Sequence, residues 1–302
     1  MEPTGSGIGG DLFAMVWDAA SGRLHGLNAS GRSPRSLTRR WFADNGLERV
    51  PRYGPLPVSV PGAVDGWFQL HERFGRLPIG DLLQPAIDYA RCGHPVHEYI
   101  QHLWALDVGK LAEFPGFTEQ MTVGGRAPEV GEVWKNLNLA DTLERIATEG
   151  RDVFYRGDIA HTIGDFMQSH GGFLAYEDMA AHVSDWVEPL SANYRGYDIW
   201  ELPPNGQGTA ALQILNIMER FDVAAMGFGS ADYVHLFVEA KKVAFEDRAR
   251  FYADPDFLDI SVNRLIAKDY AVERAALIDP ARAAATYPHG DPAVLRGGDT
   301  IY

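Results

Sequence analysis

After a glycine-rich opening, Gly5-Ser6-Gly7-Ile8-Gly9-Gly10, the sequence runs straight into a pair of strands and then turns almost wholly helical. Leu12 to Asp18 is dense in large apolar residues and reads as a buried strand. Ala19-Ala20-Ser21-Gly22 supplies a turn, and Arg23 to Leu27 returns as the partner strand of a hairpin. A core sheet has to bury its apolar face against another layer, so a hairpin at the front of a chain calls for covering polypeptide upstream of it.

Beyond the hairpin the sequence offers helices instead. Val64, Trp67, Phe68 and Phe74 recur at helical spacing up to Gly75, and Leu82, Leu83, Ala86, Ile87 and Ala90 do so up to Gly93. Leu139, Leu143 and Ile146 form a short helix closed by Gly150. Ile159, Ile163, Phe166 and Met167 form the next, closed by Gly171-Gly172. Tyr194 to Leu202 alternates as a single strand, and Pro203-Pro204-Asn205-Gly206-Gln207-Gly208 leads from it into a helix with Ala211, Ile214, Leu215 and Met218 on one face. Ser230 is placed to cap a long helix bearing Tyr233, Phe237, Ala240 and Ala244. No repeat, low-complexity tract or clean linker divides the chain, so residues 1–302 read as a single domain, a helix-rich α/β body with too few strands for its sheet.

The net charge is 27 − 41 = −14, which argues against a nucleic-acid partner because the phosphate backbone would be repelled. Cys92 is the one cysteine, so an internal disulfide and any Cys-based zinc site are excluded. No apolar run is long enough to span a bilayer, and Met1-Glu2-Pro3-Thr4-Gly5 is not a signal peptide. The compartment stays open: cytoplasmic as the chain stands, periplasmic or secreted if its N-terminus is truncated.

Gly5 to Gly10 matches G-x-G-x-x-G, but a dinucleotide cradle needs a strand before it and a helix after it, and here a strand comes next. A loop whose glycines let two backbones approach fits better. His235 and Glu239, four apart on one helix face, lack the further ligands a metal site wants and are expected to pair along the helix. His94 and His97 flank Pro95 in a loop without an obvious ligand partner, so neither a metal nor a cofactor is implied. Asn28-Ala29-Ser30-Gly31-Arg32-Ser33-Pro34 ends the hairpin and reads either as a surface turn with a solvated arginine or as a carboxylate-binding loop, since a guanidinium offers a bidentate fork.

Near the carboxyl end, Thr300 comes directly after Gly297-Gly298-Asp299. A threonine hydroxyl is a poor nucleophile until a base takes its proton, and the residue's own α-amine is one compact base, available only once the preceding bond is cut. Taken alone, a threonine so placed is usually incidental.

The order and spacing of several stretches raise its standing. Ser6-Gly7-Ile8-Gly9-Gly10, Val60-Pro61-Gly62-Ala63-Val64, Leu83-Gln84-Pro85-Ala86-Ile87-Asp88-Tyr89-Ala90, Gly171-Gly172-Phe173-Leu174 with Glu177-Asp178, Tyr194-Arg195-Gly196-Tyr197, Pro203 to Gly208, and Glu239-Ala240-Lys241-Lys242 through Asp247-Arg248 together resemble the large subunit of the γ-glutamyltransferase family of Ntn hydrolases. The resemblance implies an αββα sandwich, incomplete here because only the helix-rich large subunit is present. It implies a precursor that cuts itself between Asp299 and Thr300, with residues 300–302 opening the small catalytic subunit, which is the expected partner. Thr300 would then be the nucleophile on a γ-glutamyl amide such as that of glutathione, passing the acyl group to water or an amino acid. The chain is expected to lack an N-terminal helical segment as well, and to be inactive as it stands.

Two departures from the family pattern bear on substrate. The family's carboxylate-binding arginine lies in a loop of the type Asp-Gly-Arg-Glu-x-x-Pro. Aligned on Pro34 that position is Ser30, with Arg32 two residues later, so Ser30 and Arg32 are the candidate substrate-binding residues. The family's Ser-Ser-Gly-Gly loop is replaced by Asn205-Gly206-Gln207-Gly208. These changes leave room for another Ntn acylase, acting on cephalosporin or glutaryl side chains or on poly-γ-glutamate, and for a non-catalytic scaffold derived from the fold.

Overall fold

The computed structural model of the chain describes residues 5, 7–258 and 260–292. The described chain forms two compact units. One comprises residues 28–185 with those before Ala14; the other comprises Ala14–Leu27 with the chain from Trp186 onward.

Strand β1, Leu12–Asp18, alternates half-buried and exposed positions, and its outward face carries Phe13, Met15 and Trp17, the last 63% exposed. The strand expected to be buried is therefore covered on one side only. Strand β2, Arg23–Ala29, delivers Leu27 and Ala29 into the interior. Helix α1, Arg39–Asp44, starts at Thr38, whose hydroxyl accepts from Trp41 N–H at 3.2 Å. Helix α2, Ala63–Phe74, starts where the glycine loop meets it: Gly62 and Ala63 N–H both donate to Gly10 O, at 3.0 and 2.9 Å. A Cβ on Gly62 would lie 2.1 Å from Ala29 O, so this crossing of backbones admits only glycine. The loop's own glycines have room to spare, since a Cβ on Gly7 or Gly9 would meet nothing within 4 Å, so the close approach expected of the loop falls at Gly62 instead.

Helix α3, Ile79–Cys92, runs through Pro85 and stops at Gly93. Strand β3, His94–Pro95, comes next, then helices α4, Glu98–Leu111, and α5, Phe117–Met121, and strand β4, Val133–Trp134, which pairs antiparallel with β3. This insertion has its own small core of Val96, Trp104 and Trp134, with Trp104 Nε1 donating to Met121 O at 2.8 Å. His97 caps α4, its Nδ1 accepting from Tyr99 N–H at 3.2 Å. Among the described residues no cluster of His, Cys, Asp and Glu could hold a metal. Helices α6, Leu137–Glu149, α7, Arg151–Tyr155, α8, Asp158–Ser169, and α9, Tyr176–Ala180, complete the first unit around Val64, Ile146, Phe154, Tyr155, Leu174 and Met179, and α6 packs on α3. Strand β5, Asp185–Val187, joins a three-stranded sheet in the order β1-β2-β5.

In the second unit the strand expected over Tyr194 to Leu202 is present from Tyr197, as the second arm of a hairpin whose first arm and turn had no clear signal. Strand β6, Leu190–Tyr194, pairs antiparallel with β7, Tyr197–Glu201, with Tyr194 opposite Tyr197. Arg195 (φ 51°) and Gly196 (φ 92°) both take left-handed backbone, as a two-residue turn between twisted strands requires. An arginine at the first position hid that turn. Helix α10, Gly208–Met218, is followed by α11, Val223–Met226, and α12, Ala231–Phe251, which Ser230 caps as expected, its hydroxyl accepting from Tyr233 N–H at 3.1 Å. Helices α13, Val262–Leu265, and α14, Lys268–Ala275, close a core of Ile217, Leu236, Ala240, Val243, Ala271 and Tyr287. Among the described residues no helix is long and apolar enough to cross a membrane.

Candidate functional site

The chain leaves β2 through a tight loop. Asn28 Oδ1 accepts from the backbone N–H and the hydroxyl of Ser30, at 3.1 and 2.8 Å, which turns the Ser30 side chain back into its own loop. Gly31 N–H donates to Asp11 at 3.1 Å, and Arg32 O accepts from Val60 N–H at 3.0 Å. With its backbone held on both sides, Arg32 reaches outward. Its guanidinium donates to Asp185 Oδ2 at 3.0 Å and to Val183 O at 3.4 Å, and the two side chains are 52% and 53% exposed. An ion pair so hydrated contributes only about 0–1 kcal/mol, so an incoming ligand can rearrange it at little cost.

The far side of this pair is fixed more firmly. Asp65, fully buried in α2, accepts from Arg151 Nε and, at 2.7 Å, from Ser184 N–H. Arg151 also donates to His182 O at 2.6 Å and lies 4.4 Å over the Tyr155 ring, against which His182 stacks. Tyr155 in turn accepts from Asp65 N–H at 2.9 Å and donates to Pro61 O at 2.7 Å. Three consecutive residues, His182, Val183 and Ser184, are thus gripped by Arg151, Arg32 and Asp65 respectively. Burial pushes the Asp65 carboxyl up, but the bonds from Ser184 and Arg151 outweigh it and hold the group below its ordinary range. Burial pushes the His182 imidazole down, which keeps it neutral near pH 7.

The structure thus brings Ser30 and Arg32 together in one loop and adds Asp185, Asp65 and Arg151, none of which had a local sequence signal. Arg32 and Asp185 are separated by 153 residues. Thr300 and Asp299 lie outside the described residues. Chemically, the loop offers a cation and an anion one hydrogen bond apart at a solvent-facing edge. That arrangement complements a zwitterionic α-amino-acid head group, carboxylate to guanidinium and ammonium to carboxylate.

With this geometry established, comparison with known proteins gives a consistent answer. The gamma-glutamyltranspeptidase family model matches residues 1–302. The glutathione hydrolase-like YwrD proenzyme of Bacillus subtilis (strain 168) is 38% identical over 274 residues, which cover 90% of this chain and 52% of that protein. The crystal structure of cephalosporin acylase from Bacillus halodurans superposes with a TM-score of 0.88 at 41% identity, covering 96% of this chain and 55% of that one. That of Helicobacter pylori gamma-glutamyltranspeptidase gives 0.85 at 29% identity, covering 93% and 82%. The chain spans about half the length of the curated relatives it matches. The family model matches the whole sequence and these two structures superpose on more than nine-tenths of it as mixed α/β relatives, so the chain belongs to the gamma-glutamyltranspeptidase family.

Proposed function

We propose that this chain is the large-subunit part of an Ntn enzyme that cuts itself before Thr300 and transfers a γ-glutamyl group from a glutathione-type amide to water or an amino acid. The precursor reading is supported by relatives that are proenzymes. On this reading the sandwich is completed by a small catalytic subunit from the same precursor, and the exposed Phe13, Met15 and Trp17 face of β1 is apolar surface for that subunit to cover. The Thr300 hydroxyl attacks the donor carbonyl while its freed α-amine accepts the proton and then gives it to the leaving nitrogen. An O–C bond forms, the C–N bond breaks, and water or an amino acid resolves the ester.

The observation that carries the choice of donor is the Arg32–Asp185 pair. A γ-glutamyl group and a glutaryl group both carry the carboxylate that Arg32 suits. Only the γ-glutamyl group carries the ammonium that Asp185 suits. Mature enzyme is therefore expected to release p-nitroaniline from γ-glutamyl-p-nitroanilide with higher kcat/KM than from glutaryl-p-nitroanilide. Asp185→Asn should reduce that preference about threefold, the equivalent of roughly 0.7 kcal/mol for one exposed charged contact.

Arg32→Ala should raise KM for both donors by about the same factor, because it removes the contact they share. A preference for the glutaryl amide that Asp185→Asn leaves untouched would favour an acylase instead. The specific feature on that side is Ser30, a hydroxyl folded onto Asn28 where the family pattern has its arginine.

A further inference from the structure

Two buried carboxylates on α12, Glu239 and Asp247, are 1% and 0% exposed and take no part in the site around Arg32. Both hold the same stretch of chain. Glu239 Oε2 accepts from Ala284 N–H at 3.0 Å and from the Tyr287 hydroxyl at 2.6 Å. Its other oxygen takes Lys242 at 2.6 Å, and Lys242 also donates to Ala284 O at 2.8 Å.

Two turns further along, Asp247 Oδ1 accepts from Gly290 N–H at 2.7 Å and pairs with Arg274 at 3.1 Å. Its Oδ2 accepts from the Tyr270 hydroxyl at 2.9 Å and Gln213 at 3.0 Å. Arg274 donates to Pro288 O at 2.9 Å and Arg264 to Pro292 O at 3.4 Å, while the Tyr287 ring is part of the core. Segment 284–292 is bound down like a strand at the edge of a sheet, but by side chains.

That segment ends seven residues before Asp299. Whatever course the intervening residues take, a chain of that length reaches at most roughly 24 Å from Pro292. Without the grip, the nearest remaining hold is at Asp279, whose carbonyl bonds His235 at 2.9 Å, and the tether becomes twenty residues. The local concentration of a tethered group falls as about the −3/2 power of tether length, which makes the difference about fivefold.

We propose that Glu239 and Asp247 are positioning residues for self-cleavage, clamping Ala284–Pro292 to α12 so that the Asp299–Thr300 bond is presented on a short tether. The inference rests on the reading of Asp299–Thr300 as the processing junction.

The test uses the full-length precursor continuous with its catalytic half. Gly290→Ala places a Cβ 2.0 Å from the Tyr270 hydroxyl and 2.7 Å from its ring, which forces the segment off Asp247 and leaves the α12 carboxylates intact. Tyr287→Phe keeps the core ring and deletes only the bond to Glu239. Purified precursor is followed on denaturing gels, with the thermal midpoint of each variant measured in a Thr300→Ala background.

The expected result is a half-time of cleavage about twofold longer for Gly290→Ala, whose tether then starts at Tyr287, and longer again, up to about fivefold, for the double variant, at equal distance below each midpoint. Once cut, kcat and KM should match the parent. Maturation at the parental rate overturns the proposal. So does a slowing that vanishes when the variants are compared at equal distance below their midpoints, or a fully cut Gly290→Ala enzyme with lowered kcat. Cleavage of the Thr300→Ala precursor is a different failure, since it removes the junction itself.

Discussion

Thr300→Ala, introduced into the full-length precursor, is expected to yield one uncut polypeptide that turns over no acyl donor. Two consequences of a single hydroxyl coincide here. In the precursor the Thr300 nitrogen is an amide and has no basic lone pair, so the side chain cannot use it as a base until scission frees it. If the hydroxyl itself opens the preceding bond, removing it abolishes the amine as well as the nucleophile. Deleting a nucleophile that works as a unit with its base costs roughly 10⁴–10⁶ in rate, which takes turnover below detection.

Denaturing gels score the cleavage and p-nitroaniline release scores the turnover. Thr300→Ser keeps the hydroxyl and should still mature. In the mature enzyme kcat/KM should rise as pH passes about 7.7–8.0, the ordinary range for an α-amine, because only the neutral amine accepts the proton. Normal scission of the alanine variant would falsify the assignment of Thr300.

Three of the helices that were legible in the sequence present a single apolar stripe ended by a glycine, while α10 and α12 were legible by their stripes without one. Gly75, Gly93 and Gly150 stand just beyond α2, α3 and α6, and all three helices end within a residue of the expected stop. Helix α4 escaped because its inward stripe of Ile100, Trp104 and Val108 is blurred by Tyr99 and Leu106, large apolar residues that face outward. The β6–β7 turn escaped because its first left-handed residue is Arg195, not the asparagine, aspartate or glycine that announces such turns.

Of the candidate site, Ser30 and Arg32 were legible as a short polar loop after a strand. Asp185 was not, since its meaning comes from a guanidinium far away in sequence. Asp65 had the opposite problem: an aspartate in the first turn of a helix is commonplace, and nothing local marks it as fully buried. Thr300, the proposed nucleophile, lies outside the described residues and is singled out only through the order of the other segments.

Asp65→Ala is expected to cost the folded chain about 3 kcal/mol, at the lower end of the range for breaking a buried ion pair, because Arg151 is 19% exposed and keeps some access to water. For a chain of 302 residues that corresponds to a fall of roughly 5 °C in Tm, readable by calorimetry or circular dichroism. Asp65→Asn, which keeps an oxygen to accept from Ser184, should lose less.

The sign of the pH dependence is set by the folded carboxyl being held below its unfolded value. Its stabilisation is fully present above about pH 4, the ordinary aspartate range, and is lost as pH falls through the lowered folded value. The Tm difference between parent and Asp65→Asn should therefore be constant from pH 7 down to about 5 and close only in stronger acid.

The same variant reaches the candidate site, because Asp65 and Arg151 fix Ser184 and His182 on either side of the Val183 carbonyl that Arg32 contacts. KM for the γ-glutamyl donor should rise by more than kcat falls. A parental Tm, or a loss falling entirely on kcat, would show that this buried network does not hold the Arg32–Asp185 pair in place.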